Sequence, residues 1–280
     1  MNKPSCLQED IVEEIYVRSN NGVKLSTVLH RPETTSSSPT PIVVIFHGMG
    51  ANKAGTGDSH IKLARRLAGN GICCLRFDFR GSGESEGSIS ESSFMDFVKD
   101  GSAVIESLRD IPGIDSQSVA IYGSSLGGTV SIFVAELHAD NIRSIALWAP
   151  ITNGSLWIKE ILAVPDSERS QLKINRERTQ ALYKGVAISK NFENEFSTVN
   201  LAERLLHIPT DIHILHLQGT NDDLVSLKHR DEIVKTLEVK GFSYDTRLYT
   251  GFGHSLGNQP EYDAVLDELT SWFIGTLKRS

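Results

Sequence analysis

The chain reads as an α/β protein with a mostly parallel central sheet and helices on both faces, and three observations predict this. Apolar runs of strand length alternate with segments of helical period through most of the 280 residues. The run Ile42-Val43-Val44-Ile45-Phe46 is apolar without alternation, as a strand covered on both faces requires. At Gly123-Ser124-Ser125-Leu126-Gly127 a short strand turns directly into a helix. With 39% hydrophobic and 22% charged residues, the composition supplies a sizeable core and excludes disordered and fibrous classes.

The elements follow in order. Ile11–Arg18 and Val23–Arg31 are β-favouring and flank Asn20-Asn21-Gly22, whose tolerance of positive φ predicts an antiparallel hairpin. A Thr/Ser/Pro linker, Thr34–Pro41, leads to the Ile42–Phe46 strand. Helix is predicted over Ile61–Leu67, strand over Ile72–Phe79, and helix through Phe94, Phe97, Val98, Gly101, Ile105 and Leu108. Val119–Tyr122 (strand), Leu126–Leu137 (helix) and Ile145–Trp148 (strand) continue the series. His213–Leu217, a helix near Leu227–Leu237, the strand Tyr244–Tyr249 and a helix over Tyr262–Leu277 close it.

Thr152–His207 breaks the rhythm, being charged and helix-prone, and is expected to be an inserted cap on a core made of residues 1–151 and 208–280. Its aromatic residues Trp157, Tyr183 and Phe192 either line an apolar substrate pocket or form the segment's own small core.

A net charge of −7 with no clustered Lys and Arg excludes the electrostatic footprint of nucleic acid or anionic membrane as partner. The three cysteines, with Cys73 and Cys74 adjacent on a predicted strand, build no disulfide framework and read as small buried hydrophobes. Met1–Asn20 has no signal-peptide-like apolar run, and nowhere do about 18 apolar residues follow one another, so a reduced, cytoplasmic protein is expected. No metal-ligand spacing and no phosphate-binding glycine loop occur, so no cofactor is expected.

Ser125 is the candidate nucleophile. A serine at a sharp strand-to-helix turn needs small neighbours, which Gly123, Gly127 and Gly128 supply, and the helix start offers N–H groups to a developing oxyanion. Its hydroxyl needs a base held by a carboxylate. Among nine histidines, His254 lies in the glycine-rich loop after the last strand, where a side chain can reach across strand ends. His213 and His216 fall within a strand and read as core or face residues, while His30, His60, His138, His207 and His229 default to surface roles. Asp222 and Asp223, at the turn after the His213–Leu217 strand, both compete for the acid. Two backbone N–H groups complete the site as an oxyanion hole, that of Leu126 and that of Met49 in His47-Gly48-Met49-Gly50, with His47 orienting the loop.

The chain resembles the α/β-hydrolase superfamily along nearly its whole length. His47-Gly48 is similar to that superfamily's oxyanion loop, Asp78-Phe79-Arg80-Gly81-Ser82-Gly83-Glu84-Ser85 to its Asp-x-Arg-Gly-x-Gly-x-Ser turn, and Gly219-x-x-Asp222-x-x-Val225 to its acid-bearing turn. The last match selects Asp222 over Asp223. His47–Lys53, Arg76–Gly81 and the cap also resemble bacterial cinnamoyl/feruloyl esterases and related carboxylesterases, whose elbow carries His where this chain has Ser124. The resemblance implies a serine hydrolase cleaving a small-molecule carboxylic ester of a small, medium or aromatic acid. Amide or thioester cleavage uses the same constellation, and a non-catalytic ligand-binding protein is the alternative from another class.

Overall fold

The computed structural model describes residues 10–33, 38–163, 172–175, 180–183 and 186–278. The expected hairpin is formed by β1 (Asp10–Arg18) and β2 (Lys24–Pro32), paired antiparallel with Arg18 opposite Lys24. Gly22 in its turn has φ 85°, which explains the Asn-Asn-Gly sequence. The remaining elements of the main unit are β3 (Thr40–Phe46), α1 (Ser59–Gly69), β4 (Cys73–Phe77), α2 (Phe94–Ser107), β5 (Ile114–Ser124), α3 (Leu126–Leu137) and β6 (Ile142–Trp148).

After β6 the chain forms α4 (Gly154–Ala163), the short strands β7 (Leu172–Asn175), β8 (Gln180–Tyr183) and β9 (Val186–Ala187), then α5 (Lys190–Phe196) and α6 (Leu201–Arg204). It returns as β10 (His213–Gly219), α7 (Leu227–Lys240), β11 (Tyr244–Tyr249) and α8 (Tyr262–Leu277).

The main sheet has eight strands in the order β1-β2-β4-β3-β5-β6-β10-β11. From β4 to β11 every neighbour pairs parallel, while β2 pairs antiparallel with both β1 and β4. Both faces are covered. Along β3, Ile42, Val44 and Phe46 enter one apolar core, while Val43 and Ile45 enter the other. β5 and β6 divide in the same way, with Ile121 and Leu147 on one side and Tyr122 and Trp148 on the other. This is the physical content of an apolar run without alternation: the period of two persists, but both faces are dry. Each fully buried Ile, Val, Leu or Phe contributes about 1.5–3 kcal/mol of transfer free energy.

Three elements depart from expectation. β4 ends at Phe77, two residues early, because Asp78 leaves the sheet and gathers hydrogen bonds from the turn around it. β5 begins at Ile114 rather than Val119, and the polar stretch 115–118 is absorbed as an irregularity against β3. The segment between β6 and β10 carries a three-stranded antiparallel sheet besides the expected helices; Leu172-Lys173-Ile174-Asn175 has the two-residue alternation of a strand. Among the described residues, no strand of this segment joins the main sheet, and no helix is long and apolar enough to cross a membrane.

Candidate active site

Ser125 occupies the single-residue turn between β5 and α3 with φ 53° and ψ −122°. A positive φ in a residue with a Cβ costs on the order of 1–3 kcal/mol and persists only where the surroundings over-determine it. Here the Ser125 N–H donates to the Trp148 carbonyl at 2.8 Å, and the Ser125 carbonyl accepts the Thr129 N–H at 3.1 Å. The flanking glycines answer to contact distances: a Cβ on Gly123 would lie 2.6 Å from Gly128 Cα, and one on Gly127 would lie 2.1 Å from the Phe46 carbonyl oxygen. The start of α3 is thereby pressed onto the ends of β3 and β5.

His254 reaches the same cleft from the loop after β11. Its Nδ1 lies 3.0 and 2.9 Å from the two carboxylate oxygens of Asp222, and both side chains are almost wholly buried. Asp222 Oδ1 also accepts the N–H groups of Leu224 at 3.0 Å and Val225 at 2.9 Å, so the acid is fixed by its own turn before it meets the imidazole. Asp223, the other candidate, is exposed. The acid turn and the histidine loop are bound to each other: Thr220 N–H donates to Tyr249, Asn221 N–H to Phe252, and the Trp148 indole to the His254 carbonyl at 2.7 Å. A Cβ on Gly219 would meet the Phe252 carbonyl oxygen at 2.1 Å, which is why glycine stands three residues before the acid.

The loop after β3 closes the third side. Gly48 lies against the nucleophile, the position of its missing Cβ being 3.2 Å from Ser125 Cβ and 3.8 Å from Ser125 Oγ. Within the described residues the N–H groups of Met49 and Leu126 donate to no main-chain acceptor. His47 Nδ1 donates to the Gly48 carbonyl at 2.7 Å while its Nε2 accepts the Phe79 N–H at 3.0 Å, and burial lowers the pKa of the ring below the usual histidine value. The neutral ring thus ties the loop to the Asp-x-Arg-Gly turn.

That turn has a positioning role that its sequence alone did not reveal. Asp78, fully buried, accepts the Lys53 N–H and the Lys53 ammonium, both at 2.6 Å, and the Glu84 N–H at 3.0 Å. Arg80 makes a buried pair with Asp100, through Nη2 at 2.5 Å and Nε at 2.8 Å. Both carboxylates anchor chain that backs the Gly48–Met49 loop.

Trp157 donates its indole N–H to the Leu224 carbonyl at 2.9 Å and packs edge-on against Phe196. Phe192 is buried among Phe94, Phe97 and Phe196. Neither lines the cleft beside Ser125. The Tyr183 side chain lies outside the described residues.

Several histidines expected at the surface are buried. His30 is held between Asp10 and Arg76, and His229 accepts the Thr152 N–H at 3.2 Å. His60, at the start of α1, packs edge-on to Tyr122 and lines the cleft itself. Burial pushes the His60 pKa down to about 3, so the ring is neutral. Cys73 and Cys74 are free and buried, as read, and burial raises the Cys73 thiol to about 11.

A serine at a positive-φ elbow, a histidine with its acid, and a close glycine loop at the ends of parallel strands define an α/β hydrolase. Residues 37–261 match the serine aminopeptidase S33 family, and the chain belongs to it. It is 31% identical over 141 residues to the quorum-quenching protein AidA of Acinetobacter baumannii, covering 48% of this chain and 43% of that one. It is 28% identical over 160 residues to the esterase FrsA of Yersinia pestis, covering 55% and 36%. The matches therefore span less than half the length of these relatives. Among solved structures, Est1E of Butyrivibrio proteoclasticus with ferulic acid bound superposes with a TM-score of 0.75 at 16% identity, over 95% of this chain and all of that one. The Pyrococcus furiosus esterase Pf2001 superposes with a TM-score of 0.69 at 17% identity, over 99% and 95%. At such identities the likeness shows the fold.

Proposed function

We propose that the protein hydrolyses carboxylic esters through a Ser125-His254-Asp222 triad. The observation that carries this reading is the coincidence, in one cleft, of a serine held at positive φ with an imidazole held by a buried carboxylate. Ser125 Oγ attacks the ester carbonyl while His254 Nε2 takes its proton, and Asp222 stabilises the imidazolium. The N–H groups of Met49 and Leu126 receive the oxyanion. Collapse of the tetrahedral intermediate expels the alcohol, which takes the proton from His254; water then attacks the acyl-enzyme, gives its proton to His254, and Ser125 leaves with that proton. No step calls on a cofactor.

The chain's own residues support the chemistry; the acyl group rests on relatives. The esterase FrsA and the ferulate-bound Est1E favour ester over other acyl substrates, and aromatic acids belong to the range to be tried. We read residues 152–207 as the cap over this site and the setting as cytoplasmic, the latter on the free, buried cysteines. The S33 family's description names aminopeptidases, which makes amide cleavage by the same groups the second reading.

The test is hydrolysis of p-nitrophenyl butyrate, methyl ferulate and an aminoacyl p-nitroanilide by the protein and by Ser125→Ala. Loss of ester hydrolysis by at least about 10³-fold in Ser125→Ala, with fluorophosphonate labelling of the parent only, is the expected result. Undiminished hydrolysis in Ser125→Ala overturns the assignment, and turnover of the anilide alone replaces ester with amide.

A further inference from the structure

The cleft that holds Ser125 and His254 encloses a cavity of about 50 Å³ that extends onto the face of the sheet covered by α1 and α8. The turns before α1 and before α8 form one wall. They meet so closely that a Cβ on Gly257 would lie 1.6 Å from the Thr56 carbonyl oxygen, and one on Gly57 would lie 2.6 Å from the Gly257 carbonyl oxygen. The interior is polar. The hydroxyls of Ser59, Tyr122 and Ser124 line it without a protein hydrogen-bond partner among the described residues, and His60, whose ring also bonds the Asn52 main chain, presents a buried Nδ1 that has none. Ser59, His60 and Tyr122 are each more than nine-tenths buried. Buried polar groups are almost always paired, so the buried His60 Nδ1, with three open hydroxyls facing the same cavity, points to a ligand that pairs them.

We infer that this cavity is a leaving-group subsite that takes a short alcohol bearing a second hydroxyl, recognised by Tyr122, His60, Ser59 and Ser124. The inference rests on the ester hydrolysis proposed above and names the alcohol half of its substrate.

Three features select that chemistry. Among the described residues no Lys, Arg, Asp or Glu lines the cavity, so an ionised group would be desolvated there with no counter-charge, and the ligand is neutral. A water needs about 10–15 Å³ by this measure, so the space suits a fragment of two or three heavy atoms. A hydroxyl both donates and accepts, and therefore satisfies the imidazole in either tautomer as well as the phenol. The alcohol half is selected because His254 must protonate the departing oxygen, which puts the leaving group on the imidazole side. The cavity wall continues from His254 through Ser255, Leu256 and Gly257.

The test compares 2-hydroxyethyl butyrate with propyl butyrate, which differ only by a terminal hydroxyl in place of a methyl. The protein is expected to prefer the hydroxyethyl ester by at least about tenfold in kcat/KM, the discrimination a polar site exerts against an analogue lacking the hydroxyl it binds. The ratio is expected to fall to about threefold or less in Tyr122→Phe, which keeps the ring, and to fall in Ser59→Ala. Because the ratio is taken within each variant, a general change in activity cancels.

Cleavage of both esters at equal kcat/KM overturns the subsite and leaves the esterase reading intact. A preference unchanged in both variants also overturns it. A preference appearing instead between propyl 3-hydroxybutyrate and propyl butyrate assigns the cavity to the acyl half and overturns it likewise. If neither ester is cleaved and fluorophosphonate does not label Ser125, both proposals fail together.

Discussion

Asp222 meets His254 through both carboxylate oxygens, at 3.0 and 2.9 Å from Nδ1, while its Oδ1 is also held by the N–H groups of Leu224 and Val225. In the proposed mechanism, a carboxylate held in this way keeps the ring's proton on Nδ1 and leaves Nε2 as the base. Asp222→Asn keeps an acceptor for the two N–H groups but loses the charge, and kcat for p-nitrophenyl butyrate is expected to fall about 10³- to 10⁴-fold. The exposed Asp223, changed to Asn, is expected to leave kcat within about twofold. Steady-state kinetics of the two variants side by side decide the assignment, and equal losses would reject it.

Gly219 is a steric requirement of that same pair. Gly219→Ala drives a methyl to 2.1 Å from the Phe252 carbonyl oxygen, so either the histidine loop or the end of β10 must shift. An overpacking cost of about 1–3 kcal/mol is expected, together with a drop in kcat larger than the change in KM. Thermal unfolding and kinetics measure the two. A variant with parental Tm and kcat contradicts the close approach.

The Asp78 carboxylate gathers a main-chain N–H from each of Lys53 and Glu84 and the Lys53 ammonium. Asp78→Ala leaves a half-buried ammonium and two N–H groups unmatched, and a loss of about 3–5 kcal/mol is expected in urea unfolding. Lys53→Met, which removes the cation from the exposed end of the network, is expected to cost less. Reversal of that order would show that Asp78 does not organise the loop.

Three buried histidines are expected to weaken the fold as pH falls. Burial pushes His60 and His216 down to about 3 and His229 to about 4, against about 6.5 in the unfolded chain. Above pH 6.5 all are neutral in both states, and their full contribution is present. As pH falls below 6.5 the unfolded chain binds protons that the folded chain refuses, so stability declines by up to about 1.4 kcal/mol per pH unit for each, until the folded values are passed. Urea unfolding at pH 7.5, 5.5 and 4.5 is expected to show this slope. Among the described residues His216 has no side-chain or main-chain partner in another residue at either ring nitrogen, so His216→Leu is expected to flatten the slope at no cost at pH 7.5. A slope unchanged in that variant rules His216 out as a contributor.

Much of the fold was readable from short stretches of chain. The Asn20-Asn21-Gly22 hairpin, the apolar strand through Val44 and the turn at Ser125 each announce themselves within about ten residues, because turn sterics and hydrophobic period are local effects. The first half of β5 is not legible because Asp115–Ser118 carries no apolar signal, and β7–β9 are hidden in a segment dominated by its charges. His60 shows the opposite limit. It stands at the start of an ordinary amphipathic helix, and nothing near it in sequence says that Tyr122, more than sixty positions on, will face it.

From residue order alone came the α/β class, the elbow serine, the candidate base His254 and, with the family resemblance, the preference for Asp222 as its partner. Each leaves a mark in its own neighbourhood: a glycine that a turn requires, a strand end, a fixed interval to an acid. The meeting of positions 48, 125, 222 and 254, the burial of His60, and the unpaired hydroxyls of Ser59, Tyr122 and Ser124 around one small cavity were settled by strand order. β3, β5, β6 and β10 lie side by side, so their ends and the loops that follow converge on one place, and a cavity exists only as the space that several distant segments leave among them.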